Sequence, residues 1–230
     1  MAAISKGNFK FLQDLKKNNN RDWFQENKPE YEKNHQDIIA FADELLSKLN
    51  EHDLIETPSG KKSLYRIYRD IRFSKDKTPY KTHWSGGFKR ATKLRRGGYY
   101  FHIEPGNKSM VGGGFWGPNK EDLLRIREEI AVNGDEIREI ITDSKFIDLF
   151  GGLQGEQLKK APKGFDPNHP DIDLLRYKQF IFGRNFTDEE VLAPDFSDKL
   201  NEAFKAMRPF FDFMSDVLTT DANGVPLYEE

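Results

Sequence analysis

The chain contains no cysteine, and this one absence excludes disulfides, thiolate metal sites and a cysteine nucleophile together. No stretch approaches the run of about 18 apolar residues that reads as a membrane-spanning helix. The opening Met-Ala-Ala-Ile-Ser-Lys-Gly-Asn also lacks the apolar core of a signal peptide. A cytoplasmic protein without a membrane partner is therefore expected. Internal repeats and low-complexity tracts are missing too, so the 230 residues are read as a single α+β domain with enough chain to bury a core unaided.

Net charge is almost balanced at -2, yet it is unevenly spread. Residues 61–96 hold 13 Lys and Arg against two Asp, a local +11, while the remainder holds 23 against 36, or -13. Such asymmetry points the basic segment either at an anionic ligand or at the acidic parts of the same chain.

Hydrophobic spacing divides the chain into three parts: helical over 8–50, sheet-rich over 62–116, and helical with one further strand over 119–218. Phe9, Leu12 and Leu15 recur at helical intervals until Asn18, Asn19 and Asn20 stop them. A short helix carries Trp23 and Phe24, expected to be mainly buried. Pro29 suits the first position of a third helix, whose Tyr31, Ile38, Phe41, Leu45 and Leu49 share a face. Beyond Gly60 the period shortens to two. Tyr65, Ile67, Ile71 and Phe73 alternate with Arg66, Tyr68, Asp70 and Arg72, which predicts a strand. Further strands are expected over 82–90, 99–104 and 109–116, the last two antiparallel neighbours joined by a turn at 105–108. Helices follow over 119–131, with Asn119 as N-cap, and over 134–143. After the loop-rich 151–170, Asp171 reads as an N-cap and 179–186 as a strand. Thr187 with Glu190 forms a capping-box pattern. The last helix, 195–218, is expected to kink or divide at Pro209. The fold class that results is α+β, an antiparallel sheet packed by N-terminal and C-terminal helices.

The candidate site is the basic, aromatic-rich segment. Arg66, Arg69 and Arg72 have the planar fork that grips phosphate or carboxylate, and Asp70 is placed to orient one of them. Lys77, Tyr80 and Lys81 follow a Thr-Pro turn. His83 and His102 fall on expected strands nearby and gain a proton-transfer role only beside a carboxylate such as Glu104. Interleaved rings (Tyr65, Tyr68, Tyr80, Trp84, Tyr99, Tyr100) are also what a single-stranded nucleic-acid surface would use, but a pI near 6.3 and the lack of a ribonucleoprotein motif weigh against it. Gly112, Gly113 and Gly114 precede a helix without the Gly-Lys-Ser/Thr ending of a phosphate loop, so a glycine-rich strand is the better reading. The loop from Asp166 to Asp173, with His169, matches no metal-ligand spacing. Neither a cofactor nor a metal is expected.

Four stretches resemble one family. They are Phe11-Leu-x-x-Leu-x-x-Asn-Asn-x-Arg-Asp-Trp-Phe24, Arg69-Asp-Ile-Arg-Phe-Ser-x-Asp-Lys-Thr-Pro-Tyr-Lys81, Gly112-Gly-Gly-x-Trp116 and Leu158-Lys-x-Ala-Pro-Lys-Gly-Phe165. Together they are similar to the bacterial and fungal family known as domain of unknown function 2461, from about Asn8 to Met214. The resemblance implies no activity, cofactor or catalytic residue. Three readings therefore stand on the residues: a pocket for a small phosphate- or carboxylate-bearing ligand, a structural or interaction protein whose arginines form ion pairs within the chain or with a partner, and single-stranded nucleic-acid binding. Whether the chain is an enzyme, and its oligomeric state, stay open at this level.

Overall fold

The computed structural model describes residues 3–221 and 224–228. It opens with three helices, α1 (Lys6–Lys17), α2 (Arg21–Glu26) and α3 (Lys28–Asn50), followed by the single turn α4 (Gly60–Ser63). Strands β1 (Trp84–Lys89), β2 (Gly98–Ile103) and β3 (Ser109–Phe115) come next. Then follow α5 (Lys120–Thr142), α6 (Ser144–Phe150), α7 (Ile172–Leu175), β4 (Phe180–Phe186), α8 (Asp188–Leu192) and α9 (Phe196–Thr219). The strands lie in one sheet in the order β1-β2-β3-β4, the expected α+β class. None of the described helices is long and apolar enough to cross a membrane.

The chain divides into two compact units, whose boundaries fall inside β1, β2, β3, β4 and α9. The first comprises the chain up to Phe88 with 100–111 and 185–202. Its core forms where the apolar stripes of α1 and α3 meet one face of the strands: Phe11, Leu12, Ile38, Phe41, Leu45, Phe101 and Phe196 are all at most 2% exposed. Phe41 stacks on Phe196 at 5.7 Å and meets Phe101 edge-on at 6.3 Å, the offset and T-shaped geometries that ring quadrupoles favour. Gly60 lies so close to α3 that a Cβ there would sit 2.3 Å from the Asp43 backbone nitrogen, and its own N–H donates to Asp43 Oδ1 at 2.6 Å. A side chain at this position would push the entry to the basic segment away from the core.

The second unit comprises 89–99, 112–184 and the chain from Ala203 onward. Phenylalanines dominate it: Phe182 meets Phe146 at 5.0 Å, Phe150 at 5.1 Å and Phe210 at 4.9 Å. Within this apolar setting Arg90 is 1% exposed. Its guanidinium donates to Arg96 O (3.0 Å) and Ser215 Oγ (3.3 Å), pairs with Asp212, and lies 5.6 Å from the Phe211 ring centroid. The glycine run 112–114 lies in β3. A Cβ on Gly113 would come within 2.8 Å of Met207 and Phe211, and Gly114, at φ +114°, has room for none against the Phe180 carbonyl. These glycines let backbone and helix approach each other, which is the strand reading rather than a phosphate cradle.

Several expectations require correction. Residues 65–73 do not form a strand: the described residues there make only isolated bridges, Leu64 with Gly86 and Tyr68 with Tyr80. Alternation fails because Ile67 is buried while Phe73 is 96% exposed, and because Asp70 accepts from the Arg72 N–H at 3.2 Å, a local bond that competes with a ladder. Pro29 is the second residue of α3, not the first. Trp23 is only half-buried, although Phe24 is 4% exposed as expected. Asp171 makes no capping bond to α7, because its carboxylate is taken by Arg138 at 2.6 Å. The expected helices 119–131 and 134–143, by contrast, are both in place: α5 is two helices that meet across a kink at Asn133 (φ -140°, ψ 57°). Helix α9 continues through Pro209 undivided; Phe210, Phe211, Phe213 and Met214, all buried just beyond it, offset the lost backbone bond.

Candidate functional site

The basic segment is held by its backbone. Arg69 N donates to Pro79 O at 2.9 Å and Lys81 N to Ile67 O at 2.7 Å, so residues 67–69 lie against 79–81 with 70–78 as the connecting loop. Asn19 clamps this arrangement from α1's C-terminal side, its amide donating to Tyr80 O at 2.9 Å while its carbonyl accepts from Tyr80 N at 3.1 Å. Phe24 stacks on the Tyr80 ring at 4.0 Å, 14° from parallel. The Asn-Asn-x-Arg-Asp-Trp-Phe stretch thus acts as a backrest for the Thr-Pro-Tyr-Lys stretch, although about sixty residues separate them in sequence.

The loop consumes much of its own charge. Arg72 makes a two-pronged bond to Asp70 (3.0 and 2.7 Å) at 76% exposure. Arg69 pairs with Asp76 at 2.6 Å and donates to Thr78 O at 3.1 Å, and Lys77 donates to Ile71 O at 2.9 Å. The Thr78 N–H, aided by Arg69, holds the Asp76 carboxyl down to about 2. Arg66 is exposed, and its charge acts on Asp70 and Lys81.

A cleft of about 360 Å³ opens beside this loop, its walls including Lys16, Arg69, Asp76, Tyr80, Lys81 and His83. It brings together four of the nine residues expected to bind ligand: Arg69, Tyr80, Lys81 and His83. Arg66, Asp70, Arg72, Lys77 and His102 are not among its walls. Lys81 is half-buried, and desolvation, reinforced by Arg66, lowers its pKa from the usual lysine value. Its ammonium lies 5.7 Å from the Tyr65 ring centroid, a contact that steadies a cation short of water.

On the strands the period of two sorts side chains by face. Tyr99, Phe101 and Ile103 are buried, whereas Tyr100 and His102 in β2 and Glu104 just past it are half-buried on the opposite face. His83, immediately before β1, lies over His102 with ring centroids 4.1 Å apart. His102 Nε2 is 3.1 Å from Glu104 Oε2, and its Nδ1 is 3.1 Å from the Tyr100 hydroxyl. Burial, with His102 and Lys81 adding to it, pushes His83 down to about 4. Burial also lowers His102, against the upward pull of Glu104. Both rings are therefore neutral at neutral pH. One ligand atom from each of His83, His102 and Glu104 lies within 4.8 Å of the others.

The loop from Asp166 to Asp173 is engaged otherwise: His169 Nε2 is 3.1 Å from Ala131 O, its Nδ1 accepts from Asp171 N at 3.0 Å, and Asp171 and Asp173 both bind Arg138. Sequence reasoning missed Lys16 and Asn19 and treated Tyr100 only as a stacking platform. Only Tyr100-x-His102-x-Glu104 carried a legible signal, three polar groups at period two on one strand face; Lys16 and Asn19 reach the site through tertiary contacts that no local pattern announces.

Fold and site together define an α+β protein with a lysine-containing cleft and, at its edge, a histidine–carboxylate cluster on a sheet face. Residues 8–213 match the family described as "Conserved hypothetical protein (DUF2461)", and the chain belongs to it. No curated protein and no solved structure matches the chain.

Proposed function

We propose that the protein binds a small anionic ligand, bearing phosphate or carboxylate, in the cleft walled by Lys16, Arg69, Tyr80, Lys81 and His83. The observation that carries this reading is the placement of Lys81, a half-buried cation among like charges, with Asp76 as the cleft's carboxylate and that group already engaged by Arg69 and Thr78. A bound anion would relieve the repulsion and supply the counter-charge that a partly desolvated ammonium lacks. Tyr80, stacked on Phe24, gives the cleft a rigid aromatic wall.

A second reading is favoured by the ion pairs of Arg69 and Arg72: the arginines serve the loop's own structure, and the cleft is incidental. A thermal-shift panel of phosphate, nucleotides, sugar phosphates and short oligonucleotides, run in EDTA at two salt concentrations, separates the two. A ligand at a hundred times its Kd adds about 2.7 kcal/mol to folding, or a rise of roughly 5–10 °C in Tm for a chain of this size. Lys81→Met is expected to abolish the rise while the variant stays folded. No stabilisation by any anion would leave the structural reading, and a response confined to oligonucleotides with steep salt dependence would identify nucleic acid.

A further inference from the structure

We propose that His83, His102 and Glu104 form a binding site for one divalent transition-metal ion. Two imidazoles and one carboxylate are a donor set suited to zinc or iron(II), and far less to magnesium or calcium, which take oxygen ligands. A first-row ion with bonds of about 2.1 Å holds its ligand atoms roughly 3–3.5 Å apart. His102 Nε2 and Glu104 Oε2 already stand at 3.1 Å, and all three ligand atoms fall within 4.8 Å of one another. Any further closing of the site falls to the side chain of His83, which is half-buried and directly precedes β1.

Two further features fit an ion rather than a self-contained polar cluster. Among the described residues His83 makes no hydrogen bond; its ring lies on His102, so its nitrogens are unclaimed. The second ring nitrogen of His102 also has an outer hydrogen-bond partner, the Tyr100 hydroxyl 3.1 Å from Nδ1, and such a partner fixes the orientation of a metal-bound histidine. In the ion-free arrangement the His102 Nε2–H donates to Glu104. With an ion bound, that proton resides on Nδ1 and points to the Tyr100 oxygen, so Nε2 offers its lone pair without any net release of a proton. Three protein ligands leave coordination positions open. His83 is also part of the cleft wall, so an ion held there borders the cleft and can take a ligand from solvent.

The test is equilibrium binding of zinc and cobalt(II) to tag-free, EDTA-stripped full-length protein, read by calorimetry, by the cobalt absorption bands and by Tm. One ion per chain is expected, with a rise in Tm on adding zinc. His83→Gln and Glu104→Gln should each weaken binding by more than about a hundredfold, and Tyr100→Phe by about tenfold, the scale of an outer-partner loss. Circular dichroism confirms that each variant is folded; should His83→Gln not fold, Glu104→Gln alone decides. Wild-type protein that binds no ion stoichiometrically, or a folded Glu104→Gln that binds as tightly as wild type, would overturn the site. Because the anion panel is run in EDTA, its failure and the failure of metal binding are read independently.

Discussion

Two arginine–aspartate pairs in this protein have opposite lessons. Arg72 and Asp70 are two residues apart, bonded in both prongs, and exposed at 76% and 49%. Arg90 and Asp212 are 122 residues apart, with the guanidinium 1% exposed and the aspartate 46%. The first pair sits in the loop of the basic segment and is solvated; water already does most of what its partner does. The second involves an arginine of the same basic segment, with Lys89, Lys93, Arg95 and Arg96 beside it in sequence, yet its charge has been taken out of water into a phenylalanine-rich core. Charge density along the chain thus marks where cations are, while burial decides which of them matter to the fold.

The largest effect that would sharpen this comparison is expected from Arg90→Leu. It removes a buried guanidinium together with its bonds to Ser215 Oγ, the Arg96 carbonyl and Asp212, and should cost about 3 kcal/mol in urea unfolding. A loss no larger than that of a surface substitution would break the comparison. An effect of intermediate size comes from the half-buried histidines. The folded state holds His83 near 4 instead of the ordinary 6.5, so between those values the unfolded chain binds more protons. Stability should therefore fall as pH drops through that window and be fully present above it. Denaturant midpoints measured across it should show this slope in wild type and a shallower one in His83→Gln; equal slopes would refute the assignment. The smallest effect belongs to Arg72→Gln, expected to leave the urea midpoint at the wild-type value because its pair is exposed and local. A markedly larger loss there would mean that the loop's pairs carry the fold after all.

Placement of the ligand candidates follows the same division. Arg69, Tyr80, Lys81 and His83 reach the cleft because they lie on or beside the paired backbone of 67–69 and 79–81, whereas Arg72 and Lys77 are turned to the loop's own Asp70 and Ile71. At the level of the sequence all of these look alike, a cation every few residues. What separates them is the bridge between Tyr68 and Tyr80, which bends the segment back where strict alternation would have extended it.

Elements stabilised by their own periodicity and capping were legible in advance. The stripes of α1, α3 and α9, the Thr187–Glu190 capping box, the Asn119 cap and the antiparallel pair β2-β3 are all in place, because each depends on residues within a few positions of one another. Tertiary structure alone decided the rest. The meeting of His83 with His102 and Glu104, the clamp of Asn19 on Tyr80, the capture of Asp171 by Arg138 and the burial of Arg90 each join residues from about twenty to more than a hundred positions apart. Their free energy comes from desolvation and packing against neighbours that local spacing does not encode.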